Sequence, residues 1–338
     1  MPRGENDMQK GEVNKGFLSK ILHGIIQFFK YNWGILIGLF VLVLFFSIIN
    51  ANFLTSQNIM NVLRQVSTNM YIAIGMSLVI ILGGIDLSVG SVIALSGVVT
   101  GGLIAFSGYP LWLAVTVAII IGILIGLLNG FLVAYKGMPA FIVTLATMNI
   151  ARGASYVYTD GKPIRVMSDS FNFIGSGYLF GVIPMPVIYM IIIIILASIL
   201  MNQTKLGRYM YAVGGNIEAA RFSGINTKKV QLIAYTISGF LAALSGIVLA
   251  SRMFSGQPTA GQGAEMDAIA AVVLGGTSMS GGRGRISGTV IGALIIGILS
   301  NGLNLMGVSS FWQYIVKGIV IIIAVYVDII RRKRSAEI

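Results

Sequence analysis

Side chains able to do chemistry are few in this sequence. Its 338 residues include eleven acidic side chains, one histidine and no cysteine. Without cysteine the chain makes neither disulfides nor thiolate metal sites. His23 lies in a polar, basic stretch and reads as a solvated surface residue, so histidine catalysis and histidine–metal chemistry have no support. No Gly-x-x-x-x-Gly-Lys-Ser/Thr loop is present, so the chain carries no P-loop of its own. Gly282, Gly284 and Gly288 imitate a dinucleotide loop, but the spacing is off by one and they join two apolar segments rather than a strand and a helix. The carboxylates within apolar runs are Asp86 and Asp267, with Asp328 near the exit of the last run. Proton-coupled carriers and membrane enzymes acting on lipid phosphates need clustered carboxylates or histidines, and no such cluster is visible. No catalytic residue, cofactor or metal is therefore expected. Hydrogen-bonding chemistry remains. Asn149, Asn301, Asn304 and Gln313 are uncharged amides in or beside apolar runs. They suit sugar hydroxyls, and equally suit bonds between helices. Asp86 and Ser88 follow a Gly-Gly pair and read as helix organisers or as groups on a solute path. Arg152, a charge inside an apolar run, needs a partner or water and either lines a path or braces helices.

The elements that must position these groups follow from composition. The chain is 56% hydrophobic and 10% charged, where a soluble domain carries roughly a quarter charged residues. Apolar runs such as 187–200 and 315–327 call for lipid as solvent. The 43 glycines suit close helix approach. The runs are continuous, without the period-two alternation of a transmembrane β-barrel. The expected fold is all-α, a polytopic transmembrane bundle. At about 20 residues per crossing the sequence reads as about ten spans, near 33–50, 60–83, 87–107, 111–134, 139–158, 182–201, 229–250, 266–280, 286–305 and 312–330. The eighth is short and interrupted by Gly275 and Gly276. Residues 1–32 form an N-terminal segment, 33–330 the transmembrane domain with a large loop at 202–228, and 331–338 a basic tail.

Charge placement orients these spans. The formal net charge is +12, but the basic residues sit in short loops and at the ends, which points to membrane orientation rather than nucleic acid. An even span count puts the N-terminal lysines, the 202–228 loop and the 331–334 run on one side, the cytoplasm, together with Lys136, Arg283 and Arg285. The other side receives the nearly uncharged turns 51–57, 108–110 and 306–311. The loop 159–181 is the exception, its Lys162 and Arg165 offset by Asp160 and Asp169. Both termini are thus expected in the cytoplasm. The N-terminus does not read as a cleavable signal; residues 17–29 suit an interfacial amphipathic helix or, more plainly, a cytoplasmic lead-in. The 331–334 run reads as an orientation signal or an anionic-lipid contact.

Two local patterns stand out. Gly83-Gly84-Ile85-Asp86-Leu87-Ser88-Val89-Gly90 echoes Gly281-Gly282-Arg283-Gly284-Arg285-Ile286-Ser287-Gly288, each at a turn on the cytoplasmic side. Duplication would produce this, and so would chance in a chain rich in Gly, Ile and Val. In the 202–228 loop, Asn216 can cap a short helix. Glu218 then sits in its first turn, Ala219 and Ala220 favour helix, and Gly224 can end it. About two turns would be marginal alone in water, so the helix should need a docking partner.

Residues 202–225 resemble the coupling loop of ABC importer permeases, and the likeness extends over nearly the whole chain. The 83–91 segment resembles the signature after the second span of the branched-chain-amino-acid and sugar permease family. Segments 257–261, 265–278 and 301–310 resemble ribose-type permeases, pointing to sugars over amino acids. The resemblance implies a type II-like permease subunit of a sugar importer in the cytoplasmic (inner) membrane of a bacterial cell, ribose foremost, with galactose, xylose, another monosaccharide or a small polyol as alternatives. It also implies a second copy of the chain, a cytoplasmic ATPase with two nucleotide-binding domains that holds the ATP and Mg, and an extracytoplasmic sugar-binding protein. Gly215, Asn216, Glu218, Ala219, Ala220 and Gly224 are the candidate ATPase-docking residues; Gln257 and Glu265, in the loop 252–265, are candidates for contact with the binding protein. A stand-alone secondary carrier is the alternative from a different class.

Overall fold

The computed structural model describes residue 29 and residues 32–336 of the chain. Residues 1–28, 30 and 31, which hold His23 and nearly all of the interfacial-helix reading, lie outside the described residues, as do 337 and 338. Among the described residues, helices lie along the expected apolar runs. They are α1 (Asn32–Ile49), α2 (Ser56–Ile81), α3 (Val89–Ala105), α4 (Leu111–Lys136), α5 (Ala140–Thr159), α7 (Met185–Gln203), α10 (Thr227–Arg252), α11 (Ala264–Leu274), α12 (Ile286–Leu305) and α13 (Ser310–Ala336). Among the described residues, α1, α4, α7, α10 and α12 are long and apolar enough to cross a membrane; α3 and the first half of α13 are shorter apolar helices. The fold is a polytopic helical membrane bundle. Helix α13 continues through 331–334, so the basic tail prolongs the last helix.

Helix α2 is the core of the bundle. Sixteen of its residues are buried, from Asn58 to Ile81, and α7, α10, α11 and α12 all pack on it. Being enclosed by protein, it tolerates Gln65, Ser67, Thr68 and Asn69, which a lipid-facing helix would not. By contrast α4 buries only Ala114, Ala118, Gly122, Gly126, Asn129 and Gly130. That stripe repeats every fourth residue and lies against α10, and the other faces carry Ile, Leu and Phe outward.

The eighth expected span differs. Helix α11 has eleven residues, about 16 Å at 1.5 Å per residue, well short of the roughly 30 Å hydrocarbon core. It ends at Gly275, and Gly276 adopts a positive φ of 82°. The chain enters the bundle along the irregular segment 253–263, and α11 covers only the remaining depth. Two further helices fill the large loop, α8 (Lys205–Gly215) and α9 (Ile217–Phe222). The opposite end of the bundle is capped by α6 (Asp169–Ser176) and two short antiparallel pairs. Strand β1 (Ile164–Arg165) pairs with β4 (Ser255–Gly256), Ile164 opposite Gly256, and β2 (Tyr178–Leu179) pairs with β3 (Ile183–Pro184).

The α4–α10 crossing generates a prediction. A Cβ on Gly239 would lie 3.0 Å from both Cα and N of Gly126 and would strike the carbonyl of Gly122. Gly239→Val is expected to destabilise the chain by at least about 1–3 kcal/mol, the usual cost of overpacking. A fall in thermal unfolding temperature in detergent measures this, with Gly153→Val, at a site with no neighbour within 4 Å, as the tolerant control.

Candidate docking helix and translocation cavity

Two irregular legs enter the bundle from opposite ends, and most of the singled-out polar residues serve them. The leg 82–88 follows α2. Asp86, 1% exposed, accepts hydrogen bonds from the Ser88 backbone N–H at 3.0 Å, the Ser88 hydroxyl at 2.6 Å and the Ser238 hydroxyl of α10 at 2.8 Å. Asn129 of α4 donates to the Ser88 hydroxyl oxygen at 3.0 Å, and the Thr144 hydroxyl of α5 donates to the Ile85 carbonyl at 3.1 Å. Ser238 lies eleven residues along α10, about 17 Å from its start, so α3 begins near the middle of the bundle. The second leg, 253–263, reaches the same depth. Arg152 donates to the carbonyls of Pro258 at 2.7 Å, Ala260 at 2.8 Å and Gly90 at 3.1 Å. One guanidinium thus joins α5, the first turn of α3 and the leg leading into α11. Glu265 is half-buried at this junction, against Gly90 and close to Arg152, rather than on the end surface.

The amides divide differently. Asn58 of α2 and Asn301 of α12 exchange hydrogen bonds at 3.0 and 2.9 Å, and Asn58 also donates to the Phe53 carbonyl at 2.8 Å. Gln313 donates to Asn304 at 2.7 Å and to the Val308 carbonyl at 3.1 Å. Asn149 is exposed and donates only to Leu145 O, one turn back. Of the candidate residues, Asn304 alone lines a cavity of about 510 Å³ between α2, α10, α11 and α12. The cavity runs from Arg252 and Met253 at the capped end to Ala264 and Asp267 in the first turn of α11. Gln65, Thr68 and Asn69 furnish the α2 wall. The side-chain amides of Gln65, Asn69 and Gln262 form no hydrogen bond with the described residues, which leaves their donors and acceptors to whatever fills the cavity. Asp267 pairs with Lys317 of α13 at 2.8 Å, both largely shielded from solvent.

At the other end, α9 presents an exposed surface. The Asn216 side chain accepts from the Ala219 N–H at 2.9 Å, the capping bond its type and place predict. Glu218 pairs with Arg221 at 2.6 Å, both more than half exposed, so the pair adds little stability. Gly224, at φ 81°, ends the helix with Ile225 N–H donating to Ala220 O. Ala220 faces inward; Gly215, Ala219 and Phe222 face outward, Phe222 at 83% exposure.

The sequence matches the family model described as branched-chain amino acid transport system / permease component over residues 58–325. The chain belongs to this permease family. It is 52% identical to the ribose import permease of Bacillus subtilis over 305 residues, covering 90% of this chain and 93% of the relative. To the ribose import permease of Escherichia coli K12 it is 50% identical over 297 residues, 87% and 92% of the two chains. To the xylose transport system permease of Haemophilus influenzae it is 37% identical over 360 residues, 88% and 96%. No solved structure matches the chain.

Within this permease some site features escaped the sequence reading. Gln65, Thr68 and Asn69 recur at three- and four-residue spacing, the period of one helix face, and so were detectable as a polar stripe. Helix α8 was signalled by Thr204, whose hydroxyl oxygen accepts from Gly207 N–H at 3.2 Å, and by Gly207, Met210 and Val213, buried three residues apart. Burial pushes the Tyr211 phenol of α8 above its ordinary pKa, partly opposed by nearby Arg285; its hydroxyl donates to Gly284 O at 2.8 Å. Gln257 lies at the capped end, half-buried, donating to Ser255 Oγ at 3.2 Å. There residue 254 joins the 159–181 loop, its carbonyl accepting from Val166 N–H at 3.0 Å.

The Arg152 junction yields a prediction. Arg152→Met removes three charge-assisted donors and leaves carbonyls unpaired, an expected loss of at least about 3 kcal/mol. Arg152→Lys should recover only part, because a lysine lacks the planar fork. Detergent-state thermal unfolding of the two variants tests the order wild type, Lys, Met.

Proposed function

We propose that this permease is the membrane subunit of an ATP-binding-cassette importer that carries a monosaccharide, ribose foremost, into a bacterial cell across its cytoplasmic membrane. The observation that carries this reading is the near full-length identity of about one half to ribose import permeases, against 37% to a xylose permease. Transport of xylose, galactose or a related polyol by the same machine is the alternative cargo. The cavity supports a hydroxyl-rich solute: its lining amides and Asp267 offer both donors and acceptors, while a hydrophobic solute would leave the Gln65 and Asn69 amides unpaired at a cost of about 1–3 kcal/mol each.

In this reading α9 docks a cytoplasmic ATPase bearing two nucleotide-binding domains, which holds ATP and Mg; the permease itself uses no cofactor. Gly215, Asn216, Glu218, Ala219, Ala220 and Gly224 shape that docking surface. The capped end, with Gln257 beside the β1–β4 pair, faces an extracytoplasmic sugar-binding protein. A second copy of the chain completes the pathway, and both termini lie in the cytoplasm. Asp86, Ser88, Arg152, Asn301 and Gln313 act as braces, and Asn304, Gln65 and Asn69 touch the solute. ATP binding closes the ATPase and displaces α9, and the cavity then alternates between outward and inward access.

Reconstitution in liposomes with the ATPase and binding protein is expected to give ATP-dependent ribose uptake. Uptake by this chain alone, driven by an ion gradient, would overturn the reading. Glu218→Lys reverses a charge on the docking surface. It is expected to lower ribose uptake by about tenfold, within the usual range of site-to-site coupling, with membrane insertion intact and hydrolysis persisting. Wild-type uptake by this variant would remove α9 from the docking role.

A further inference from the structure

The two echoing Gly-Gly turns meet in space, and they meet the end of α8. Gly282 N–H donates to the carbonyl of Ile81, the last residue of α2, at 2.8 Å. A Cβ on Gly282 would lie 2.7 Å from Gly215 Cα and 2.9 Å from Gly215 N. A Cβ on Gly214 would overlap the Ile81 carbonyl oxygen and come within 2.7 Å of Gly282 N. The Tyr211 hydroxyl bond to Gly284 O fastens α8 to the same turn. Three segments therefore touch backbone to backbone: the end of α2, the turn 275–285 after α11, and the end of α8.

Each segment leads somewhere specific. Helix α8 passes into α9 through the single residue Asn216. Helix α2 runs about 20 Å from Ile81 back to Thr68, on the cavity wall. Helix α11 runs about 15 Å from Leu274 back to Ala264, on the same cavity. A contact through long side chains would yield by changing rotamers. Backbone against backbone, at close-packed density, has no such slack.

From this geometry we infer that Gly214, Gly282 and the Ile81 carbonyl form a rigid joint that carries displacement of α9 directly to α2 and α11, the two helices that line the cavity. Gly214 and Gly282 are positioning residues: they touch neither solute nor ATPase, and they keep the three segments close enough to move as one body. The inference rests on the docking role of α9 proposed above.

The test uses the reconstituted importer. Gly214→Ala is expected to leave ATPase co-purification unchanged, to keep hydrolysis near wild type and to lower ribose uptake by about tenfold. Normal uptake with Gly214→Ala overturns the joint. If Glu218→Lys is silent as well, the docking role falls with it; if Glu218→Lys still uncouples, only the joint falls. A second measurement does not depend on an altered joint. The chain has no cysteine, so spin labels can be placed on Ala212→Cys and Arg283→Cys, both at exposed positions on either side of the joint. Their separation should change by less than about 2 Å between nucleotide-free and ATP-bound complexes. A change of about 5 Å, one helical turn of sliding, would show that the segments slip past one another and overturn the inference.

Discussion

The structure depends on satisfying irregular backbone inside an apolar bundle. Hydrocarbon offers no hydrogen bonds, so non-helical chain at membrane depth survives only where protein groups replace water. The permease contains two such legs, 82–88 and 253–263. Asp86 serves the first, taking the Ser88 N–H and hydroxyl and the Ser238 hydroxyl. Arg152 serves the second, taking two of its carbonyls and one from the first turn of α3. These two charged residues are among the few inside the bundle, and each is occupied by backbone or by the hydroxyls around it.

That satisfaction lets two shorter apolar helices begin inside the bundle, α3 of 17 residues and α11 of eleven. Helices α3 and α11 both begin deep in the bundle, where Gly90 packs against Gly261 and Glu265. Because α11 covers only part of the depth, the volume beyond its first turn is filled by loop and open space. The cavity occupies this region, walled by the polar stripe of α2 and floored by Ala264 and Asp267. Asp267 is held by Lys317, so the shielded carboxylate has a partner at hand.

The α8–α9 end of the bundle and the helices that wall the cavity meet at a single backbone contact. The contact between α8, the end of α2 and the turn after α11 is made by backbone and glycine. The exposed Phe222 and the shallow Asn216-capped turn of α9 are a poor basis for stability in isolation and a reasonable surface for a partner.

Much of this was legible in the sequence, because lipid imposes simple rules. Continuous apolar runs determined the helices, their order and the membrane class, since a chain in hydrocarbon has few ways to pair its backbone. Asn216, Glu218 and Gly224 determined α9 through local capping chemistry, which needs no distant contact. The family likeness was carried by the 83–91 and 202–225 segments. Tertiary structure decided what local pattern could not. Asp86, Arg152 and Asn301 looked alike as polar groups in apolar helices, and only their distant partners, at Ser238, Pro258 and Asn58, distinguish them from the unpaired amides of the cavity. The sequence echo of two Gly-Gly turns likewise said nothing of their contact; that required α2 and α11 to end at the same place, about 200 residues apart in the chain. Helix formation is settled by neighbours within four residues, whereas the role of a buried polar group is settled by the atoms folding brings to it.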